Sequence, residues 1–280
     1  LRSSRHAGVS SLTATIARAK REAAEAAVLL SHPPNPGVTF SRQENGCAVL
    51  PFCILSRHQY WECAHVHIIT LAAQKGGVGK TTLAVNLAVA AQAAGIRTAL
   101  FDLDPQESAT AWSERREAEL PHVEPISARR LNQAIDAAEA NGFDLTIIDT
   151  PPAAGAEAAA AAQRADIVLI PCRPSLIDLD AIKRTAQLII STGRTGFVVL
   201  NAAPPTATTL LDDARTLAED TGLKVARAVI RERSAYRAAW PYGLGVTEHE
   251  PNGKAAQEIA SLRQFLFDEL QNCTPANVKA

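Results

Sequence analysis

The chain has 280 residues, of which 47% are apolar and 20% charged, with a formal net charge of −1. That composition supports a substantial core and excludes a chain that coats nucleic acid by bulk charge, so any DNA contact must come from a local patch. No apolar run approaches bilayer-spanning length, no signal-peptide pattern opens the chain, and the five cysteines are an odd, scattered set, so a cytoplasmic location is expected.

In chain order, residues 11–30 (SLTATIARAKREAAEAAVLL) are good helix formers, and HPPNPG at 32–37 ends that helix. From there to His65 no hydrophobic period is sustained. Cys47, Cys53, His58, Cys63, His65 and His67 suggest zinc, but their spacings match none of the paired CxxC or HxxxH patterns, and an unstructured extension is the other reading. Methionine is absent, position 1 is Leu, and three of the five cysteines and five of the seven histidines precede residue 68. Residues 1–66 are therefore read as an irregular extension, either disordered or, in the alternative reading, upstream sequence joined by a wrong start, with Val66 the native start from a GTG codon in that case.

From residue 67 short apolar runs (HIITLAA, RTALFDL, FDLTIID, DIVLIPC, GFVVLN, LKVARAVI) alternate with helix-like stretches at 80–94, 107–118, 128–141, 176–191, 207–221 and 254–271. Strands alternating with helices imply βαβ units, and apolar runs without strict alternation imply strands buried on both faces. The expected fold is one α/β domain over residues 67–272, a mostly parallel twisted sheet with helices on both faces, followed by a tail at 273–280.

The first apolar run feeds AAQKGGVGKTT at 72–82 and then a helix. A GxxxxGK[ST] loop closes backbone N–H groups around phosphates, with a lysine for the outer phosphates and a hydroxyl for Mg²⁺. Lys80 and Thr81 fill those roles, and the helix N-terminus adds partial positive charge. The strict pattern fails, because Gln74 stands where the first glycine belongs and Lys75 follows it. Asp102 and Asp104 in RTALFDLDPQ, and Asp149 in FDLTIID, fall at strand ends, where an open parallel sheet gathers its ligand. An acid after four apolar residues suits Mg²⁺ held through water, although each alone also fits a cap or turn, and Asp104 opens a turn-forming Asp-Pro pair.

KGGVGKTT, DLDPQ, IIDTPP and IPCRPSLIDLDA, in this order, closely resemble the ParA group of the ParA/MinD deviant-Walker ATPases, which partition plasmids and chromosomes. The similarity runs over roughly residues 67–270. It implies a P-loop fold, ATP and Mg²⁺ as ligands, and a homodimer formed on ATP. Lys75 would reach across that dimer to the partner's phosphates, where a cation offsets the charge of two facing nucleotides. By match, Gly76, Gly77, Val78 and Gly79 form the loop, Lys80 takes the β and γ phosphates, and Thr82 takes the α-phosphate. Thr81, Asp102 and Asp149 hold the metal, and Asp104 positions the attacking water. Asn201 corresponds to an adenine contact, with a turn Asn the other reading. With no arginine evident in the phosphate region as an in-cis finger, hydrolysis should be slow until a DNA-bound ParB-like adaptor stimulates it.

For DNA, KVARAVIRERSAYRAAW at 224–240 offers Lys224, Arg227, Arg231, Arg233 and Arg237 against Glu232. Arg231, Arg233 and Arg237 are the expected non-specific contacts, and a solvated basic face is the alternative. Such a protein would associate with the nucleoid. The same chemistry could instead position another cargo, such as a chemoreceptor cluster or microcompartment. A MinD-like membrane ATPase needs a basic amphipathic C-terminus, whereas the ending ASLRQFLFDELQNCTPANVKA is acidic and neutral. An iron–sulfur carrier needs a cysteine pair, and only Cys172 and Cys273 follow residue 67. A tyrosine-kinase module needs clustered C-terminal tyrosines, which the three at 60, 236 and 242 are not. At most one helix precedes residue 67, too little for a helix-turn-helix, so the short ParA type without operator binding is expected.

Overall fold

Alternating side chains explain the architecture. Along each inner strand, odd and even positions enter two separate cores. Ile68, Phe101, Ile148, Val168 and Ile170, together with Val198 and Leu200, face one layer. Ile69, Leu71, Leu100, Ile147, Leu169, Phe197 and Val199 face the other. Both sets are buried, which is why these runs show no polar alternation. The structure, a computed structural model, describes residues 65–152, 155–205 and 209–272. The helix expected at 11–30, most of the extension and its cysteines, and the tail at 273–280 lie outside the described residues.

Among the described residues the strands are β1 (His67–Leu71), β2 (Thr98–Asp102), β3 (His122–Pro125), β4 (Leu145–Asp149), β5 (Ile167–Cys172), β6 (Thr195–Ala203) and β7 (Lys224–Arg231). They form one parallel sheet in the order β3-β2-β4-β1-β5-β6-β7. The helices are α1 (Lys80–Ala93), α2 (Ser108–Ser113), α3 (Leu131–Ala140), α4 (Ala156–Arg164), α5 (Leu176–Thr192), α6 (Thr209–Glu219), α7 (Ser234–Ala239), α8 (Val246–His249) and α9 (Lys254–Asn272). The chain leaves β1 toward β2 on one side and leaves β5 toward β6 on the other. Winding therefore reverses between β1 and β5, which opens a crevice at the carboxyl ends of those strands.

Five elements differ from the sequence expectation, two of them, α7 and α8, being short helices that it did not include. β3 is a seventh strand, four residues long at the sheet edge and only half-buried, so HVEP carries too little apolar signal to stand out. α4 is built on AEAAAAAQR, whose buried face is Ala158, Ala161 and Ala162. Small side chains let this helix lie close to β1, where the Thr70 hydroxyl donates to the Ala161 carbonyl at 3.1 Å. α2 stops at Ser113 rather than 118. No helix among the described residues is long and apolar enough to cross a membrane.

Candidate phosphate-binding site

Sheet register assembles the site. Leu71 at the end of β1 pairs with Asp149, and Asp102 at the end of β2 pairs with the same Asp149. The loop that leaves β1 at Ala72 thus starts beside two buried carboxylates. It ends at Gly79, the residue before α1, with φ 92°, a conformation that suits glycine. A Cβ there would lie 2.4 Å from the Asn201 amide nitrogen, so the position tolerates no side chain. Asn201 is 6% exposed, and its amide donates to the Val78 carbonyl at 2.6 Å. It sits within β6, beside Ala202 at φ 49° and a shift in the pairing with β7. This bulge aims the amide at the loop. Asn201 lies in β6 rather than in a turn, and its side chain braces the phosphate loop.

Lys80 is buried at the start of α1. Burial lowers its pKa, and Asp149 and Asp104 pull it back up. Burial likewise pushes Asp149 up to about 7. The neighbouring Asp102 and Asp104 add to the rise, while the Thr81 hydroxyl and Lys80 oppose it. Although Thr81 lies beside it, neither Asp149 oxygen has a hydrogen-bond partner of normal geometry among the described residues. Two orphaned carboxylate oxygens next to a hydroxyl are the donor set that a hard divalent cation such as Mg²⁺ takes. Asp102 differs. Burial raises its pKa, but one oxygen accepts from the amides of Ala109 and Thr110, both at 3.0 Å, and from the Thr110 hydroxyl at 3.2 Å. Its other oxygen accepts from the Asp104 amide at 3.2 Å. Asp102 therefore ties α2 and the Asp104 turn to the sheet, and Asp149 with Thr81 has the open coordinating capacity. Asp104 itself caps its turn, accepting from the Gln106 amide at 2.9 Å. Thr82 lies on the first turn of α1 and lines the cavity above the loop.

Lys75 stands on the exposed rim of the loop with its side chain 43% exposed, and forms an ion pair with buried Asp178 in the first turn of α5. Burial alone would raise the Asp178 pKa, but Lys75 and the Ser175 hydroxyl, which donates at 2.6 Å, hold it below the usual value, with Arg173 contributing. Arg173 is a neighbour of the phosphate loop that the sequence reading did not single out. It follows β5 and donates to the Gly77 carbonyl at 2.6 Å. The only sequence sign of this placement was its position directly after an apolar run.

A cavity of about 360 Å³ opens above the loop, lined among others by Gly77, Gly79, Thr82, Arg173, Asn201 and Tyr236. The three arginines expected at DNA reach its rim, but two are engaged internally. Arg231 donates to the carbonyls of Pro204 and Pro205 at 2.9 and 3.0 Å, and Arg233 pairs with Glu258. Arg237 is 75% exposed, with Glu232 at 3.5 Å. A wider groove of about 790 Å³ between β7 and α9 carries mixed charge, including Arg227, Lys254, Glu258 and Asp268, and lies away from the loop. Of the residues weighed for zinc, His65 and His67 are described. Their rings lie 4.8 Å apart, with Asp166 3.7 Å from His67, at the amino-terminal end of β1 and opposite the phosphate loop.

Residues 69–244 match the model of the CobQ/CobB/MinD/ParA nucleotide-binding domain. The chain belongs to this ParA/MinD family. It is 33% identical over 210 residues to the maintenance of carboxysome distribution protein A of Gloeobacter kilaueensis, covering 74% of this chain and 95% of that protein. It is 26% identical over 245 residues to the chromosome-partitioning ATPase Soj of Thermus thermophilus, covering 74% and 98%. The fold matches that of the septum site-determining protein MinD of Pyrococcus horikoshii, solved with Mg-ADP, at a TM-score of 0.59 and 18% identity over 75% of this chain and 99% of that one. The match to this nucleotide-binding domain covers the glycine loop, Lys80, Thr81 and Asp149.

Proposed function

We propose that this protein is a positioning ATPase in which Mg·ATP draws two copies together, the dimer holds DNA without sequence preference, and hydrolysis releases it. The observation that carries this reading is Lys75. A cation on the exposed rim of a phosphate loop, held there by a carboxylate of another helix, is available to a second molecule and unnecessary for binding phosphate within one chain. In this reading Lys80 neutralises the β and γ phosphates, Thr82 meets the α-phosphate, and the loop amides of residues 76–79 surround the chain of phosphates. Thr81 and Asp149 hold Mg²⁺, with Asp102 acting at one remove. When bound, the metal would neutralise phosphate charge. Asp104 orients the attacking water, and Lys75 reaches the partner's phosphates. Arg237, with Arg231 and Arg233 behind it, lies where DNA phosphates would dock. A ParB-like adaptor completes the cycle by stimulating hydrolysis.

The cargo is a replicon or a cellular body. Similarity at 33% to a protein named for carboxysome distribution, against 26% to a chromosome-partitioning one, favours a body. Sedimentation of the purified chain tests the scheme. ATP should give a dimer that co-sediments with non-specific DNA, and ADP should give monomer; a monomer in both nucleotides would overturn it.

A further inference from the structure

We infer that Arg173 is an arginine supplied in cis to the terminal phosphate of bound ATP, resting on the Gly77 carbonyl until the nucleotide arrives. This rests on the reading of the loop as an ATP site. The fold gives the first argument. The phosphate loop leaves β1, Arg173 leaves β5, and these strands pair directly, with Leu71 opposite Leu169. Winding of the sheet reverses between the two, so both segments border the crevice where such sheets bind ligands. Buried Cys172 and Pro174 on either side fix the backbone from which the guanidinium projects.

Electrostatics gives the second. Asp102, Asp104, Asp149 and Asp178 surround a loop whose lysines are Lys75 and Lys80, so carboxylates outnumber ammonium groups before any phosphate binds. A further cation at the rim is favourable as soon as phosphate enters. Among the other arginines around the cavity, Arg233 and Arg237 pair with carboxylates, Glu258 and Glu232, and Arg231 donates to two carbonyls. Arg173 gives up one bond to a neutral carbonyl at 2.6 Å and a longer-range attraction to Asp178, the smaller loss. Its planar fork then offers two parallel donors to phosphate oxygens.

In the reaction, water attacks the γ-phosphorus, and the bond from that phosphorus to the β–γ bridging oxygen breaks. The bond's electron pair stays on ADP, the water proton leaves to solvent, and phosphate is released. Charge accumulating on the bridging and γ oxygens is what Arg173 offsets.

The test uses the full chain with Arg173→Ala and Arg173→Lys, and Lys80→Ala as control, in ATPγS, ADP and ADP with aluminium fluoride. Arg173→Ala should leave ADP affinity within about twofold, weaken ATPγS about tenfold and slow hydrolysis at least about a hundredfold. Arg173→Lys should restore ATPγS binding in part, but not the aluminium fluoride complex, which needs the planar fork. Equal losses for ADP and ATPγS would reduce Arg173 to a brace for Gly77 and overturn the inference, as would no change in either. Wild-type protein that binds no nucleotide in a Lys80-dependent way would overturn the ATP reading itself and this inference with it.

Discussion

Asp149 is a buried acid whose pKa of about 7 lies far above the ordinary aspartate value of 3.8. Between those two pH values the folded chain keeps a proton that the unfolded chain has released. The protonated carboxyl therefore stabilises the metal-free fold at low pH, and that contribution is lost as pH rises through about 7. The metal-free melting temperature should fall between about pH 5 and about pH 8, and Asp149→Asn should flatten that slope and raise the value at about pH 8 by about 2–4 °C. Mg·ADP should protect wild type and not the variant; calorimetry with and without the ligand measures both. Mg²⁺ affinity should run the opposite way, rising with pH and levelling above about 7, because only the carboxylate coordinates. Asn201 supports a second expectation. Asn201→Ala removes the bond to the Val78 carbonyl and should cost about 1 kcal/mol of stability. It should also weaken ADP binding severalfold by titration calorimetry, although the structure places this side chain on the loop backbone. The sequence made Asn201 conspicuous at the end of an apolar run. Its partner lies 123 residues away, and nothing local specifies it.

At the level of elements, the basic run of β7 and α7 reads differently once α9 is in place. Glu258 of α9 accepts from the Arg231 amide at 3.1 Å and pairs with the Arg233 guanidinium, joining the end of β7 to the last helix. Charge reversal at Arg233 sets two carboxylates against each other at a half-buried joint. Arg233→Glu should therefore destabilise by about 1–2 kcal/mol, and any loss of DNA retention would be compounded by that damage. Arg237→Glu is the cleaner probe. It should leave the melting temperature within about 1 °C and reduce ATP-dependent DNA retention. A salt titration of the wild type should show the steep dependence of phosphate contacts. α4 shows the opposite limit of sequence reading. Its alanines are good helix formers, but the stretch AEAAAAAQR holds no large apolar residue to mark it as a core-facing element.

At the scale of the whole molecule, the proposed dimer turns on the exchange of one ion pair for another. Lys75 is paired with Asp178 within the chain, and joining a partner's nucleotide means leaving that carboxylate for a phosphate. Lys75→Ala should abolish ATP-driven dimerisation while leaving ADP affinity within about twofold, as sedimentation velocity and titration would show. Unchanged dimerisation in that variant would remove the trans role of Lys75.

The sequence by itself determined the glycine-rich loop between β1 and α1, the acids at the ends of β2 and β4, and the parallel α/β layering. Each is written in contiguous residues, as a glycine spacing, an apolar run ending in an acid, or a helix period. Tertiary structure alone decided that Asp149 is the carboxylate with free oxygens while Asp102 is saturated by α2, and that Arg173 meets Gly77 across 96 residues. It also decided that Arg231 and Arg233 are engaged within the fold. Those outcomes depend on strand order and register, which bring distant residues to one edge of the sheet, and that order arises from packing the two layers rather than from any local pattern.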